Sequence, residues 1–164
     1  MKYFKDFKFE EFWSDINDNS RVLDSEIIDA ERKLGFKLPD SYIELIKTHN
    51  GGYVEKDCFP TKTRTTWAEN HIAISSIMGI GGKNDIIEET KLMVGEWEYP
   101  DIGVVICDCP SAGHDVVMLD YSECGSQGEP RVVHVDQEWD YNITVLADNF
   151  EHFIKGLVCE EEFE

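Results

Sequence analysis

The chain of 164 residues carries a large excess of acidic side chains. The 34 Asp and Glu residues are opposed by 15 Lys and Arg residues, which gives a formal net charge of −19. This charge repels nucleic-acid phosphates and anionic lipid headgroups, so it excludes those partners and favours a cationic one. Hydrophobic residues make up 41% of the chain, enough for an ordinary core. The length favours one domain over residues 1–164.

The acidic excess is concentrated in the second half of the chain. Residues 1–94 hold 17 acidic and 13 basic side chains, a net charge of −4. Residues 95–164 hold 17 acidic and two basic ones, Arg131 and Lys155, a net charge of −15. Acidity of this kind serves either a cationic partner or solubility alone. Composition does not separate the two explanations.

The sequence predicts a cytoplasmic protein without disulfides. The segment 1–6 alternates charged and aromatic residues without an apolar signal core, and no stretch approaches the roughly 20 apolar residues of a membrane span. The number of cysteines is odd and their spacing irregular, which favours reduced thiols. The cysteines are Cys58, Cys107, Cys109, Cys124 and Cys159.

The first third of the chain has helical patterns. Asp24 or Ser25 can cap a helix that ends at Gly35. A second helix follows, with apolar residues at helical spacing, and ends at Asn50-Gly51-Gly52, where a glycine suits the left-handed exit. A shorter helix is predicted near Phe9–Ile16.

The middle of the chain changes to strand patterns. Residues His71–Ile80 are rich in Ile and predict a strand, after which Asn84 can cap a weak helix to about Val94. Two apolar runs, Ile102–Cys107 and Asp115–Asp120, flank a turn that contains Pro and Gly. This arrangement predicts a β-hairpin.

The last part of the chain combines a strand with a helix. Arg131–Asp136 predicts a further strand, and Leu146, Phe150, Phe153 and Leu157 fall on one stripe of a closing amphipathic helix. The order of elements predicts an α+β fold: N-terminal helices, a curved, mainly antiparallel β-sheet and a C-terminal amphipathic helix.

Short motifs follow one another in order over residues 24–157. Their residues are Leu38, Pro39, Tyr42, Asn50, Gly51, Gly52, Gly79, Gly81, Gly113, Asp115, Asp120, Phe150 and Phe153. This ordered series resembles the SUKH superfamily of cell-wall-assembly regulators and their bacterial relatives. The resemblance implies the α+β fold above and a binding role, with no catalytic activity and no cofactor. Bacterial members are regarded as immunity proteins against polymorphic toxins, many of them nucleases, and fungal members regulate glucan synthesis. The motif positions are structural, and partner-binding residues do not transfer from the family.

Two constellations resemble metal sites. Cys107, Cys109 and His114, with Cys124 as a possible fourth ligand, offer donor types that bind zinc, but their spacing matches no known zinc finger. The alternation Asp-x-Glu-x-Asp over residues 136–140 resembles the start of a calcium loop without its glycine and final glutamate. We therefore expect buried thiols and no metal.

Two further patterns bear on catalysis and anion binding. Ser111, His114 and Asp115 are neighbours in one tight turn, whereas a catalytic triad needs groups that converge from separated positions. The glycines of residues 79–82 lack both the dinucleotide-binding and the Walker spacing, and Asp85 would oppose phosphate. The sequence predicts a protein that is not an enzyme.

Two acidic and aromatic clusters are the candidate partner-binding residues. Aromatic side chains supply buried area at an interface, and carboxylates attract a basic surface. The alternative is that the aromatic residues belong to the core and the acidic ones are solvated. The acidic segment 160–164 is expected to be a frayed terminus. The candidates are Glu96, Trp97, Glu98 and Asp101, and Glu138, Trp139, Asp140 and Tyr141.

These observations predict a non-catalytic intracellular binding protein. The leading hypothesis is an immunity protein that neutralises a basic, nuclease-type toxin domain through an acidic surface. The alternative hypothesis is a regulatory protein-interaction module in cell-wall or glucan synthesis. Both assign a protein partner and no direct contact with nucleic acid or membrane.

Overall fold

The computed structural model describes residues 1–14 and 21–164 and has an α+β fold, as predicted. Within these residues, four helices and eight strands form the elements, together with short 3-10 turns. The helices are α1 (Asp24–Leu34), α2 (Asp40–Thr48), α3 (Ile86–Gly95) and α4 (Phe150–Gly156). The strands are β1 (Gly52–Tyr53), β2 (Cys58–Pro60), β3 (His71–Ala73), β4 (Ser76–Ile77), β5 (Gly103–Asp108), β6 (Asp115–Asp120), β7 (Arg131–Asp136) and β8 (Asn142–Ala147).

Six strands form one antiparallel sheet in the order β1-β4-β5-β6-β7-β8, and β2 pairs with β3 in a second, small sheet. The predicted hairpin is β5–β6, with a register shift between Val105 and Cys107. Strand β8 lies at one edge of the large sheet. Helix α3 packs on β5, and α4 contacts β7, β8 and β2.

The central strands are buried on both faces of the sheet. Residues 104–107, 116–119 and 132–135 are all at most 1% exposed. Strands covered on both sides have nearly continuous apolar runs instead of strict alternation, and these three segments follow that rule. The polar exception within these three segments is His134 on β7, which is fully buried.

The family-motif glycines and asparagine join the end of α2 to the loop after β4. The side chain of Asn50 accepts a hydrogen bond from the Ile80 N–H and donates one to the Ile80 carbonyl, both at 2.9 Å. A Cβ on Gly79 would lie 2.2 Å from Asn50 Oδ1. The absence of a side chain at residue 79 therefore allows the two loops to touch.

Three of the predicted elements are wrong in their extent. The segment His71–Ile80 is not one strand, because β3 joins the small sheet and β4 the large one. The closing helix begins at Phe150, and Leu146 lies on β8. The sequence assigns Leu146 to the helix because it stands four residues before Phe150, which is a helical spacing. The N-terminal helix is a single 3-10 turn, Phe9–Glu11, and Ile16 lies outside the described residues.

The ends of several elements also differ from the sequence-based expectation. Leu23 precedes α1, where its N–H donates to the Glu26 carboxylate at 3.0 Å. Asp85, and not Asn84, caps α3. The acidic segment 160–164 is not frayed, because its 3-10 turn places the Phe163 ring 4.1 Å from that of His71.

We expect Gly79→Ala to destabilise the fold by about 1–3 kcal/mol, since the added methyl group has no space against Asn50. Urea unfolding followed by circular dichroism measures the change. Gly95→Ala is the matched control, because no atom lies within 4 Å of its Cβ position and alanine favours the helix. Equal stability of the Gly79 variant and the wild type would contradict this account of the loop contact.

Candidate functional site

The fold brings the two acidic and aromatic clusters together, although about 40 residues separate them in sequence. The Tyr141 hydroxyl donates to the Trp97 carbonyl at 2.6 Å. The rings of Tyr99 and Tyr141 meet edge to face, with 5.2 Å between their centroids. We call the surface formed by residues 96–101, 110–114 and 137–141 the rim.

The turn between β5 and β6 lies between the two clusters. The His114 Nδ1 atom is 2.9 Å from Gln137 Oε1 and 2.8 Å from Glu138 Oε1. A Cβ on Gly113, a family-motif residue, would lie 3.1 Å from the Trp97 ring. The β5–β6 turn therefore supports Trp97 from one side and the Glu138 segment from the other.

The rim has unusual backbone geometry. Among the described residues, four non-glycine residues have positive φ angles, and all four lie in the rim: Glu98, Ala112, Asp140 and Tyr141. Side chains with a Cβ disfavour this left-handed region, which costs about 1–2 kcal/mol for each residue. Backbone of this kind persists where the surrounding contacts enforce it, and it is concentrated at functional sites.

The candidate residues differ in exposure. The carboxylates of Glu96, Glu98, Asp101, Glu138 and Asp140 are exposed, Trp97 and Tyr141 are half-buried, and Trp139 is 42% exposed. The Arg64 guanidinium lies 5.9 Å from the Trp139 ring centroid. The rim is thus an acidic surface with one partly accessible indole, that of Trp139, and Tyr99 forms its buried support.

A buried polar network lies directly beneath the rim. Asp115 is 3% exposed, and its carboxylate accepts a hydrogen bond from the Ser111 hydroxyl. The other carboxylate oxygen is 2.7 Å from His134 Nε2 on β7. The Asp115 N–H in turn donates to Ser111 Oγ at 3.0 Å. The network ties the β5–β6 turn to the centre of the sheet.

Cys109 completes this network. Its Sγ, an Asp115 oxygen and a His134 ring nitrogen lie within 4.8 Å of one another. These are donor types that zinc accepts. They differ from the constellation considered in the sequence, because His114 is exposed and contacts Gln137 and Glu138 instead. Burial and the Asp115 carboxylate hold the pKa of the Cys109 thiol well above its ordinary value. Asp115 already bonds to His134, so hydrogen bonding accounts for this pair without a metal.

The network does not have the geometry of a hydrolytic triad. Catalysis by a serine requires the imidazole next to the hydroxyl, with the carboxylate behind it. Here the Asp115 carboxylate lies between Ser111 and His134, and the imidazole has no exposed surface. The arrangement suits the fixing of a turn, not the activation of a nucleophile.

Not all acidic residues of the second half contribute to the surface. Three of the 17 carboxylates are buried: Asp115, Asp120 and Asp136. Asp120 lies at the other end of β6 from the rim and is 2.8 Å from Arg131 Nε. Burial by itself would raise the pKa of Asp120. Hydrogen bonds from the Ser122 backbone and side chain, together with the hydrogen bond and charge of Arg131, outweigh burial and lower this pKa.

The glycine pattern after β4 forms a turn, as predicted. The Gly81 N–H donates to the Asp85 carboxylate at 3.0 Å, so a carboxylate occupies the place an anion would need.

Sequence reasoning missed two contacts in and near the site: the pair His134 and Asp115, and the pair Thr66 and Asp136. A polar residue inside an apolar strand run was the available signal for His134 and Asp136.

The fold and the family-motif contacts define an α+β protein of the SUKH class. The chain belongs to the SMI1-KNR4 cell-wall family, whose SUKH_6 model matches residues 24–154. This match confirms the resemblance found in the sequence. Searches of the curated proteins and of the solved structures returned no match. Within the described residues, no helix combines the length and apolarity needed to cross a bilayer.

We expect Asp115→Ala to destabilise the protein by about 1–3 kcal/mol, because it leaves the buried His134 Nε2 atom and the half-buried Ser111 hydroxyl without their partner. Chemical denaturation at neutral pH measures the effect. Asp101→Ala removes an exposed carboxylate of the same rim and should change stability by less than about 0.5 kcal/mol. Similar values for the two variants would show that the buried network is dispensable.

We expect Tyr141→Phe to cost about 0.5–1.5 kcal/mol, since the Trp97 carbonyl loses its hydrogen bond while the ring contact with Tyr99 remains. The measurement is the urea midpoint. Tyr53→Phe, at a tyrosine that is 54% exposed, is the control and should leave the midpoint unchanged. An unchanged midpoint for Tyr141→Phe would mean that this bond does not hold the two clusters together.

Proposed function

We propose that the protein is a non-catalytic immunity protein that neutralises a basic toxin domain, of nuclease type, through the rim. The observation that carries the proposal is the joining of two acidic, aromatic segments into one surface with an accessible Trp139. Family membership supports a binding role in general terms.

The charge of the rim suits a nucleic-acid-binding partner. A nuclease domain presents cationic side chains where it holds the phosphate backbone. The five exposed rim carboxylates occupy that cationic surface in place of phosphates, and the toxin loses access to its substrate. Close charge pairs at such interfaces couple by about 1.5–7 kcal/mol, and long-range attraction accelerates the encounter.

The aromatic residues add binding energy that charge alone does not supply. Trp139 is the exposed anchor, and the left-handed backbone at Asp140 holds its segment in a fixed turn. A side chain that is already ordered loses little conformational entropy on binding. Trp and Tyr are enriched among the residues that dominate interface energies.

A second candidate function follows from the description of the matched family. The SMI1-KNR4 cell-wall name favours a regulatory protein-interaction module in cell-wall or glucan synthesis. The same rim would then bind a basic surface of a synthesis or signalling protein. The identity of the adjacent gene, toxin or wall-synthesis, distinguishes the two candidates.

The test compares two variants with equal charge. The rim variant carries Glu96→Gln, Glu98→Gln, Glu138→Gln and Asp140→Asn, and the tail variant carries Gln at residues 160, 161, 162 and 164. Each removes four negative charges and changes the formal net charge from −19 to −15. The probe is the purified, catalytically inactive toxin domain encoded by the adjacent gene, and calorimetry measures its affinity.

We expect the rim variant to weaken binding at least about tenfold and to flatten its salt dependence, with the tail variant within about twofold of the wild type. Trp139→Ala should also weaken binding at least about tenfold, as a central anchor does. Equal losses from the two charge variants would mean that only the overall charge matters. An adjacent toxin that is neutral or acidic would refute the mechanism.

A further inference from the structure

The edge strand β8 is open along its outer side. Its inner side pairs with β7 from Asn142 to Ala147. Within the part of the chain that the structure describes, no backbone group of another segment bonds to its outer side. Natural proteins commonly protect such an edge with charged residues or proline, and residues 142–147 contain neither.

A groove of about 700 Å³ runs along this edge. One wall is the whole of β8 with Asp148, and the other is the segment 60–64 that follows β2. Ile143 and Val145 are 40% and 50% exposed beside it. A bulge at Leu146 leaves the four residues before it in regular register.

Hydrogen bonds and a cation–π contact hold the second wall. Asp136, which is fully buried, accepts hydrogen bonds from the Thr66 N–H at 2.9 Å and from the Thr66 hydroxyl at 2.7 Å. Arg64 lies over the Trp139 ring, and the Thr61 hydroxyl donates to the Thr63 carbonyl at 2.7 Å. The groove is therefore formed in advance of any ligand.

The groove has a charge opposite to that of the protein as a whole. Lys62 and Arg64 lie on its wall, and among the described residues that line it Asp148 is the one acidic residue, in a chain with a net charge of −19. An extended segment that adds a strand to a sheet edge gains main-chain hydrogen bonds, and alternate side chains supply specificity. A carboxylate on that segment complements Lys62 and Arg64.

We propose that β8 and the segment 60–64 form a peptide-binding groove for an extended, acidic segment of a protein ligand. The ligand pairs with β8 as a seventh strand of the large sheet and directs its carboxylates to Lys62 and Arg64. This site is distinct from the rim, and its ligand has the opposite charge.

Pairing of β8 with the same strand of a second copy is a poorer fit. An antiparallel pair centred on the strand brings Asp140 of each chain towards Asp148 of the other. Like charges brought together at an interface oppose association. A second copy also provides no carboxylate within residues 142–147 for Lys62 and Arg64.

The test uses labelled heptapeptides and fluorescence polarisation with the full chain. The reference peptide alternates Thr and Val and ends in two Glu residues, and its partner ends in two Lys residues. Two N-methylated versions of the acidic peptide block the odd or the even main-chain N–H groups. The protein variants are Lys62→Glu with Arg64→Glu and, as an equally charged control, Lys5→Glu with Lys8→Glu, all at exposed residues.

We expect the acidic peptide to bind at least tenfold more tightly than the basic one. One of the two N-methylated peptides should lose binding and the other should keep it. The reason is that the N–H groups of a strand point alternately to its two sides, and only one set faces β8. The Lys62 and Arg64 variant should reverse the charge preference, and the control should not. Three results would each overturn the proposal: no binding of the acidic peptide, equal loss of binding for both N-methylated peptides, or an unchanged charge preference in the Lys62 and Arg64 variant. So would a dimer in sedimentation that Ile143→Lys dissociates.

Discussion

The contacts of the Asp115 carboxylate determine how the protein presents its rim. This buried group bonds to Ser111 in the β5–β6 turn and to His134 in the centre of β7. A buried carboxylate is stable only when hydrogen bonds or charges compensate its lost hydration. The turn must therefore take one position relative to the sheet. Gly113 and His114, which contact Trp97 and Glu138, take their positions from it.

The same principle applies at the other buried carboxylates. Asp136 holds the loop at Thr66, and Asp120 holds Arg131 at the opposite end of β6. Asp115 and Asp120 are the first and last residues of β6, which places them about 17 Å apart. Each carboxylate fixes a loop at a strand end, and loops held in this way are the usual positions of recognition residues.

The acidity of the chain thus has two structural uses. Some carboxylates are internal and organise loops, and the exposed ones at the rim form an acidic surface. The exception is the groove beside β8, where Lys62 and Arg64 reverse the local charge. A protein with a net charge of −19 therefore offers surfaces of both signs within one region, on either side of Trp139.

The sequence by itself determined the α+β class, the family and the hairpin, because these depend on local periodicity, turn residues and short motifs. It also identified the two segments of the rim by composition. Only the tertiary structure decided that Trp97 and Tyr141 meet, that Leu146 belongs to a strand, and that His134 and not His114 pairs with Asp115. These outcomes depend on strand order and register, in which residues far apart in sequence become neighbours, and local patterns carry no record of such pairings.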